Sequence, residues 1–178
     1  MALRKAASYS KRKVCVYTRV SKVKSKSYIK TVPPQKVVRF QMGAIKDYEK
    51  GNFKIIIKLV SGEDVVIRDN AIEASRQYIH KILEENFLNQ YYFEVKVHPH
   101  HILRDNKMIT GAGADRMQTG MAHSFGSTNG RAAVANKGKE IFLIAVNGEK
   151  ARKITFHALK GIKAKLPCKT RIALEIKK

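Results

Sequence analysis

Residues 36 to 68 alternate strand-like segments with short turns. The segments Lys36 to Met42, Phe53 to Val60 and Val65 to Arg68 are rich in β-branched and apolar residues, which predicts three strands. Residues 61 to 64, with the sequence SGED, have the composition of a turn. The second and third strands are therefore expected to pair as a hairpin.

Apolar residues recur at intervals of three and four from about residue 70 to residue 89, the spacing of a helix with one buried face. Asp69 precedes this run and is predicted to be its N-cap, because its carboxylate can accept the unpaired amide hydrogens of the first turn. Residues 91 to 97 then alternate apolar and polar side chains, which predicts a strand with one buried face.

The carboxy-terminal part of the chain adds another strand, helix and strand. Residues 140 to 146 form an apolar strand-like run, and the Asn147-Gly148 turn leads into a predicted helix from about 149 to 163. Residues 170 to 176 predict the last strand. Because each helix has a single apolar stripe to bury, the sequence predicts an α+β fold, with a mixed, largely antiparallel sheet and two helices packed on one face.

Residues 98 to 139 break this pattern, because they show no clear apolar period. Loops of this length are uncommon inside a compact domain and are usually functional or disordered. The segment also holds six of the chain's 11 glycines. We therefore expect residues 98 to 139 to form a long glycine-rich loop that carries part of the function.

The chain is strongly basic: 36 lysines and arginines against 14 aspartates and glutamates give a formal charge of +22 in 178 residues. The charge is concentrated at the ends, with +13 over residues 1 to 46 and +9 over residues 150 to 178. The region between them is nearly neutral. Such a chain needs a polyanionic partner, and the two basic ends are expected to bind it.

Residues 1 to 35 are expected to form a basic extended arm that precedes a single α+β domain over residues 36 to 178. The arm mixes cations with Tyr9, Tyr17 and Tyr28, which suits RNA, where cations meet phosphates and phenol rings stack on bases. A disordered tail or a localisation signal is the alternative. The predicted RNA contacts are Arg4, Lys5, Lys11, Arg12, Lys13, Arg19, Lys22, Lys24, Lys26 and Lys30 in the arm, and Arg152, Lys153, Lys160, Lys163 and Lys165 near the other end.

Secreted, membrane and disulfide-bonded proteins are disfavoured. No run approaches the 18 or so apolar residues of a spanning helix, and no apolar signal region follows the amino terminus, so a cytoplasmic protein without membrane contact is expected. Cys15 and Cys168 have no CxxC partner, which argues against a disulfide framework and against a four-thiolate zinc site.

Enzyme motifs are weak in the long loop. No phosphate-binding P-loop occurs, and the dinucleotide fingerprint is incomplete because Arg116 occupies its third glycine position. His98, His100 and His101 lack a nearby cysteine and the helical spacing of a metalloprotease, so RNA contacts are favoured over a metal site. We expect no catalytic residue, cofactor or metal. An RNA-processing or RNA-modifying enzyme with a basic surface is the alternative, and a DNA-architectural protein a third.

The loop also contains a contiguous motif, HPHHILRDNKMITGAGADRMQTGM, over residues 98 to 121. This run, followed by Phe125-Gly126, resembles the universal large-subunit ribosomal protein family called L-sixteen in bacteria and L-ten-e in archaea and eukaryotes. Further matches are Tyr28-Ile29-Lys30, the segment Val37 to Phe40, and Leu166-Pro167-Cys168 with Arg171-Ile172. The similarity covers most of the chain from about residue 28, and the basic extension fits the archaeal and eukaryotic branch.

The resemblance implies a structural protein bound to large-subunit ribosomal RNA, on the ribosome in the cytoplasm, below the central protuberance. It also implies a loop that points towards the peptidyl transferase region and meets transfer RNA transiently, with neighbouring ribosomal proteins as further partners and no homo-oligomer. The matching loop residues are Arg104, Asn106, Lys107, Gly111, Gly113, Asp115, Arg116 and Gln118. Physical reasoning agrees, because glycines let an RNA backbone approach closely while arginine and lysine contact phosphates.

The chain departs from the family pattern after this motif. Ala122 stands where a basic residue is expected, and Ser127-Thr128 replace a lysine and a proline. Contacts in residues 122 to 130 are therefore not carried over.

Overall fold

The computed structural model describes residues 7–10, 29, 31–105 and 126–176. Its α-helices are α1 (Ala7–Ser10), α2 (Ile45–Glu49), α3 (Asp69–Phe87) and α4 (Glu149–Gly161), and a 3-10 helix over Ile162–Lys165 follows α4. Its strands are β1 (Gln41–Gly43), β2 (Ile55–Ser61), β3 (Val65–Arg68), β4 (Tyr92–Val95), β5 (His101–Asp105), β6 (Ser127–Ala135), β7 (Glu140–Val146) and β8 (Thr170–Ile176). The predicted α+β class is confirmed.

Five strands form the larger sheet, in the order β1-β4-β7-β2-β8. Every neighbouring pair in this sheet is antiparallel, so the prediction of a mixed sheet is wrong for the part of the chain that the structure describes. The reason lies in the connection through α4. It joins β7 to β8, which run parallel to each other, but β2 lies between them and pairs with both.

A second, three-stranded sheet has the order β3-β6-β5 and is also antiparallel. The predicted hairpin of β2 with β3 is therefore wrong. Residues of the turn hydrogen-bond to other segments: the Ser61 amide donates to the Lys139 carbonyl at 2.9 Å, and the Gly62 amide donates to the Lys169 carbonyl at 2.8 Å. The turn thus carries the chain from one sheet to the other instead of reversing it within one.

Both long helices pack on the same face of the larger sheet, as predicted. Ile79 of α3 and Leu159 of α4 are fully buried in one cluster with Ile57 of β2 and Ile144 of β7. On the opposite face a smaller apolar cluster contains Phe53, Ile56, Tyr92, Leu143 and Ala145, against which Tyr48 of α2 packs. Neither short helix, α1 nor α2, was predicted from the sequence, and α1 corrects the expectation that residues 1 to 35 are extended throughout.

The first predicted strand, residues 36 to 42, is only partly formed. The ladder begins at Gln41, while Val37 is buried and Val38 is exposed outside any strand. The Lys36 amide donates to Oδ2 of Asp69 at 3.3 Å, and the Asn70 amide donates to Oδ1 of the same carboxylate at 2.8 Å. Asp69 is the first residue of α3, not its N-cap, yet its carboxylate does accept a first-turn amide hydrogen.

The continuous loop predicted over residues 98 to 139 is also corrected, because β5 and β6 lie within it. The sequence of β6, STNGRAAVA, is rich in alanine and small polar residues with weak strand propensity, so its pattern did not predict a strand. Pairing with β3 on one side and β5 on the other stabilises it. The interval between these two strands is residues 106 to 126, half the predicted loop.

Candidate nucleic-acid interface

The predicted carboxy-terminal cations lie on one continuous helical segment, formed by α4 and the 3-10 helix. Buried small and apolar residues, Ala151, Thr155, Ala158 and Leu159, give α4 one stripe against the sheet, so its charged residues emerge on the other side. Lys153, Lys160, Lys163 and Lys165 are exposed, and Arg152 is half-buried. The structure therefore brings these five residues to the surface of the same segment.

Aromatic rings and a carboxylate hold three of these cations in place. The Lys160 ammonium lies 4.9 Å from the ring centroid of Phe156, and the Lys165 ammonium lies 5.6 Å from that of Tyr78 on α3. These separations fit cation–π contacts, which orient an ammonium without neutralising it. Arg152 instead donates to the Glu149 carboxylate at 3.0 Å, which offsets its charge.

The opposite face of the larger sheet is electrically balanced. Lys58 on β2 lies 2.7 Å from the Glu175 carboxylate and 3.0 Å from that of Glu140. Hydrogen bonds to Glu175 and then Glu140 raise the pKa of Lys58, so this cation is held by acids of its own protein. By contrast, within the described ranges no carboxylate lies within 4.0 Å of the ammonium groups of Lys153, Lys160, Lys163 or Lys165. The helical surface keeps its charge available to an external anion.

The three histidines at the start of the predicted loop take different positions. His98 is exposed and its ring stacks on Phe40 at a centroid separation of 5.3 Å. His100 is exposed, with its Nδ1 2.8 Å from the His98 carbonyl, whereas His101 is buried on β5. Partial burial lowers the pKa of His98, with smaller contributions from His100 and Arg131, which favours the neutral ring that stacks on aromatic groups. Two of the three are therefore accessible to RNA.

The matched loop leaves and re-enters the smaller sheet at one end. Arg104 and Asp105 end β5, opposite Thr128 and Ser127 of β6, and the Ser127 hydroxyl lies 3.4 Å from the Asp105 carbonyl. The chain between them thus starts and finishes at adjacent backbone positions. Asn106, Lys107, Gly111, Gly113, Asp115, Arg116 and Gln118 lie outside the described residues.

The predicted arm is described at only a few positions. Arg4, Lys5, Lys11, Arg12, Lys13, Arg19, Lys22, Lys24, Lys26 and Lys30 all lie outside them. Ser10 and Ile29 are buried, and the Pro33 carbonyl accepts a hydrogen bond from Nε of Arg131 at 2.7 Å. The end of the arm is therefore attached to β6 by a contact that spans 98 positions.

Sequence reasoning missed some surface cations near the predicted ones. Lys150, Lys169 and Arg171 are exposed in the same basic carboxy-terminal region. All three are included in the charge of +9 over residues 150 to 178, but none was among the predicted contacts. Arg131, which attaches the arm, has no local signal, because its partners are distant in sequence.

The described ranges contain neither a cluster of metal ligands nor a membrane-spanning helix. Among those residues, no group of three histidine, cysteine, aspartate or glutamate side chains is arranged to hold a metal ion. No helix in the same ranges has both the length and the apolar character needed to cross a membrane.

Comparison with known proteins gives one consistent result. The sequence profile of the family described as ribosomal protein L16p/L10e matches residues 15–173. Large ribosomal subunit protein uL16 of Methanococcus maripaludis is 42% identical over 175 residues, which cover 98% of this chain and 95% of the relative. The protein of that name from Thermofilum pendens is 41% identical over 153 residues, which cover 83% of this chain and 86% of the relative. The one from Pyrobaculum islandicum is 38% identical over 178 residues, which cover 99% of this chain and 94% of the relative.

Proposed function

The chain belongs to the ribosomal protein L16p/L10e family, and on that premise we propose that it is a structural constituent of the large ribosomal subunit that binds large-subunit ribosomal RNA. The observation that carries this proposal is the near full-length similarity to proteins named large ribosomal subunit protein uL16. A member of this family is a structural protein and not an enzyme. The RNA-modifying alternative is therefore set aside.

The RNA contacts are proposed for the two basic ends. The arm over residues 1 to 35 supplies cations and tyrosines, and the 3-10 helix supplies Lys163 and Lys165. Each lysine that neutralises a phosphate releases condensed counterions, which drives binding without sequence specificity. The balanced outer face of the larger sheet, where Lys58 is paired with two glutamates, is not part of this interface.

The segment over residues 98 to 139 is proposed to help shape the transfer RNA channel near the peptidyl transferase centre. Support comes from the two-dozen-residue motif and from the smaller sheet, which fixes both ends of residues 106 to 126 side by side. Lys107 and Arg116 would contact phosphates, and Gly111 and Gly113 would allow close approach of the backbone. Neighbouring ribosomal proteins are further proposed partners.

The salt dependence of RNA binding tests the proposed function. If the basic ends contact about ten phosphates, the slope of log K against log salt concentration should be roughly −7 to −9. Deletion of residues 2 to 27, which removes nine lysines and arginines, should flatten the slope. Filter binding of the full chain to a large-subunit ribosomal RNA fragment measures both values.

A single-residue control separates the basic ends from charge in general. Lys81 is exposed on α3, outside both basic ends, so Lys81→Ala should leave the slope unchanged. A slope shallower than about −3 for the unaltered chain would contradict the proposed RNA interface.

A further inference from the structure

A groove of about 390 Å³ lies between α4 and the strand β8. Its floor is formed by Phe156, Ile172 and Leu174, and polar residues of α4 surround them. Phe156 and Leu174 are 41% and 42% exposed. Large apolar side chains exposed together beside charged residues are typical of an interaction site, not of ordinary surface.

The strand that forms one wall of this groove is at the edge of the larger sheet. β8 pairs with β2 and, within the part of the chain that the structure describes, with no other strand. In an antiparallel pair, alternate residues direct their N–H and C=O groups away from the partner, so β8 presents a row of donors and acceptors along its outer side. An open edge of this kind is a template for one more strand.

The side chains of β8 extend the apolar floor along that edge. Ile172 and Leu174 pair with Leu59 and Ile57 of the core, so they point to the helix side of the sheet, as does the next alternate residue, Ile176. Ile172 is half-buried, whereas the exposed fractions of Leu174 and Ile176 are 42% and 63%. Helix α4 thus covers only the first part of the apolar face of β8.

The charges at the rim select an acidic occupant. Lys153 and Lys160 face the groove without an acid partner among the described residues, while Arg152 is paired with Glu149. The protein's own arm is unsuitable because it is basic. A second copy paired edge to edge through β8 about a two-fold axis would bring each rim of like charges near its symmetry mate, which is unfavourable.

The same features disfavour RNA at this groove, although the sequence predicts RNA contacts for Arg152, Lys153 and Lys160. A phosphodiester backbone offers acceptors but not the alternating donors and acceptors that the carbonyls and amides of a strand edge require. It also leaves apolar surface uncovered. A polypeptide can hydrogen-bond to the strand edge and also cover the apolar surface, because strand addition pairs the main chains while alternate side chains enter pockets.

We propose that the groove between α4 and β8 binds an extended acidic and apolar segment of another protein, which adds to the larger sheet as a strand beside β8. Its apolar side chains cover Phe156 and Leu174, and its carboxylates pair with Lys153 and Lys160. The proposal goes beyond RNA binding, because it uses the open edge of β8 and a different class of ligand, although it shares Lys153 and Lys160 with the predicted RNA contacts.

Binding of a designed peptide by the full chain tests this assignment. The probe is a fluorescein-labelled eight-residue peptide in which valine and glutamate take turns at every second position with threonine between them, so that valines and glutamates share the face of the added strand that meets α4. The control probe has lysine in place of each glutamate. Fluorescence anisotropy should show saturable binding of the acidic peptide alone. Lys153→Glu combined with Lys160→Glu should weaken that binding at least tenfold, and Phe156→Ser should weaken it at least fivefold.

Matched variants outside the groove provide the controls. Lys163→Glu makes the same charge change on the 3-10 helix, and Val38→Ser removes an exposed apolar side chain elsewhere; each should change peptide affinity less than twofold. Leu174→Ser, which changes no charge and lies outside the predicted RNA contacts, should weaken peptide binding as Phe156→Ser does while leaving binding of the ribosomal RNA fragment within twofold of the unaltered chain. Failure of this proposal is therefore distinguishable from failure of the RNA interface.

Three results would overturn the proposal. The first is no saturable binding of the acidic peptide, and the second is equal loss with Lys163→Glu. The third is that the paired lysine substitutions weaken RNA binding tenfold while leaving peptide binding intact, which would return these cations to RNA.

Discussion

Single side chains decide which charges of this protein are available to a partner. Arg76 on α3 is 8% exposed, and its guanidinium donates to both carboxylate oxygens of Glu73, at 2.6 and 2.8 Å. It also lies 3.1 Å from the sulfur of Met42. Lys163, by contrast, is exposed on the 3-10 helix. The formal charge of +22 therefore includes cations that stabilise the fold and cannot meet RNA.

The Glu73–Arg76 pair predicts a specific pH dependence of stability. Arg76 lowers the pKa of Glu73 below its ordinary value of 4.5, so the ion pair contributes its stabilisation above that pH and loses it as the pH falls through the lowered pKa. Glu73→Gln should lower the free energy of unfolding by about 2 kcal/mol at neutral pH, since a hydrogen bond to a charged group is worth about 1.5 to 3 kcal/mol. The difference should shrink as the pH falls below 4.5 and through the lowered pKa of Glu73.

Urea denaturation at several pH values measures this difference. Glu85→Gln is the control, because Glu85 is exposed and lies 3.9 Å from Lys81, a pair worth a few tenths of a kcal/mol. A Glu73→Gln effect that stays undiminished as the pH is lowered to the onset of acid unfolding would show that Arg76 does not depend on an ionised Glu73.

Two positions on α3 test the assignment of its buried face. Ile79 is fully buried, so Ile79→Asp should unfold the protein, because a buried unpaired carboxylate costs several kcal/mol and total stability is about 5 to 15 kcal/mol. Lys81 is 76% exposed, so Lys81→Asp should cost no more than about 0.5 kcal/mol, mainly through repulsion with Glu85. Equal melting temperatures for the two variants would mean that the buried face of α3 has been assigned incorrectly.

At the scale of the element, the sequence predicts what is local. Helices α3 and α4 each have a single apolar stripe, and both appear within about two residues of the predicted bounds. The apolar run of β7 and the segment that forms β8 are also as predicted. The spacing of apolar residues within each of these segments is enough to predict whether it forms a helix or a strand.

What the sequence did not predict depends on distant partners. β3 pairs with β6, whose first residue lies 59 positions after the last residue of β3, and nothing in Val65 to Arg68 specifies that partner. β6 has weak strand propensity, and it is stabilised because β3 and β5 flank it. The same distinction applies to the candidate interface. The cations of α4 could be predicted from the local helical pattern, whereas the groove beside β8 could not, because it depends on which strand lies at the edge of the sheet.

The segment that connects β5 to β6 gives a prediction about loss of function without loss of fold. Lys107→Ala, or replacement of residues 108 to 118 by a short Gly-Ser linker, should leave the melting temperature nearly unchanged, because loop substitutions away from a core, cap or strained position usually change stability by no more than about 0.5 kcal/mol. Subunits that carry the shortened segment should bind transfer RNA and form peptide bonds more slowly. One lost charge-assisted hydrogen bond is worth about 1.5 to 3 kcal/mol at the site that it serves.

Arg104 is a poorer probe than Lys107, because it lies on β5 beside a bulge and pairs with Thr128. A substitution there changes the smaller sheet as well as the loop. Purified subunits with the linker replacement should be compared with subunits carrying Lys137→Ala, an exposed lysine outside the replaced segment. Full transfer RNA binding and full peptidyl transfer with the linker would contradict the proposed role.

At the scale of the whole molecule, the positive charge is concentrated at the two ends of the chain, one of which, residues 150 to 178, also contributes to the core through α4. The apolar core comes mainly from residues 37 to 166, while the largest positive charges lie over residues 1 to 46 and 150 to 178. On the outer face of the larger sheet, Lys58 and Lys96 are paired with glutamates, so these lysines add little net positive charge there. This division suits a protein whose ends bind RNA around a stable domain, as the family membership also indicates.

Co-sedimentation with ribosomal subunits tests that account most directly. The tagged full chain would be mixed at moderate salt with archaeal large subunits that lack their own copy of the homologous protein, and in parallel with small subunits as a polyanion of similar chemistry. The account predicts one copy of the chain per large subunit in the gradient and none with the small subunit. A chain that remains at the top of the gradient, or distributes equally between the two subunits, would contradict it.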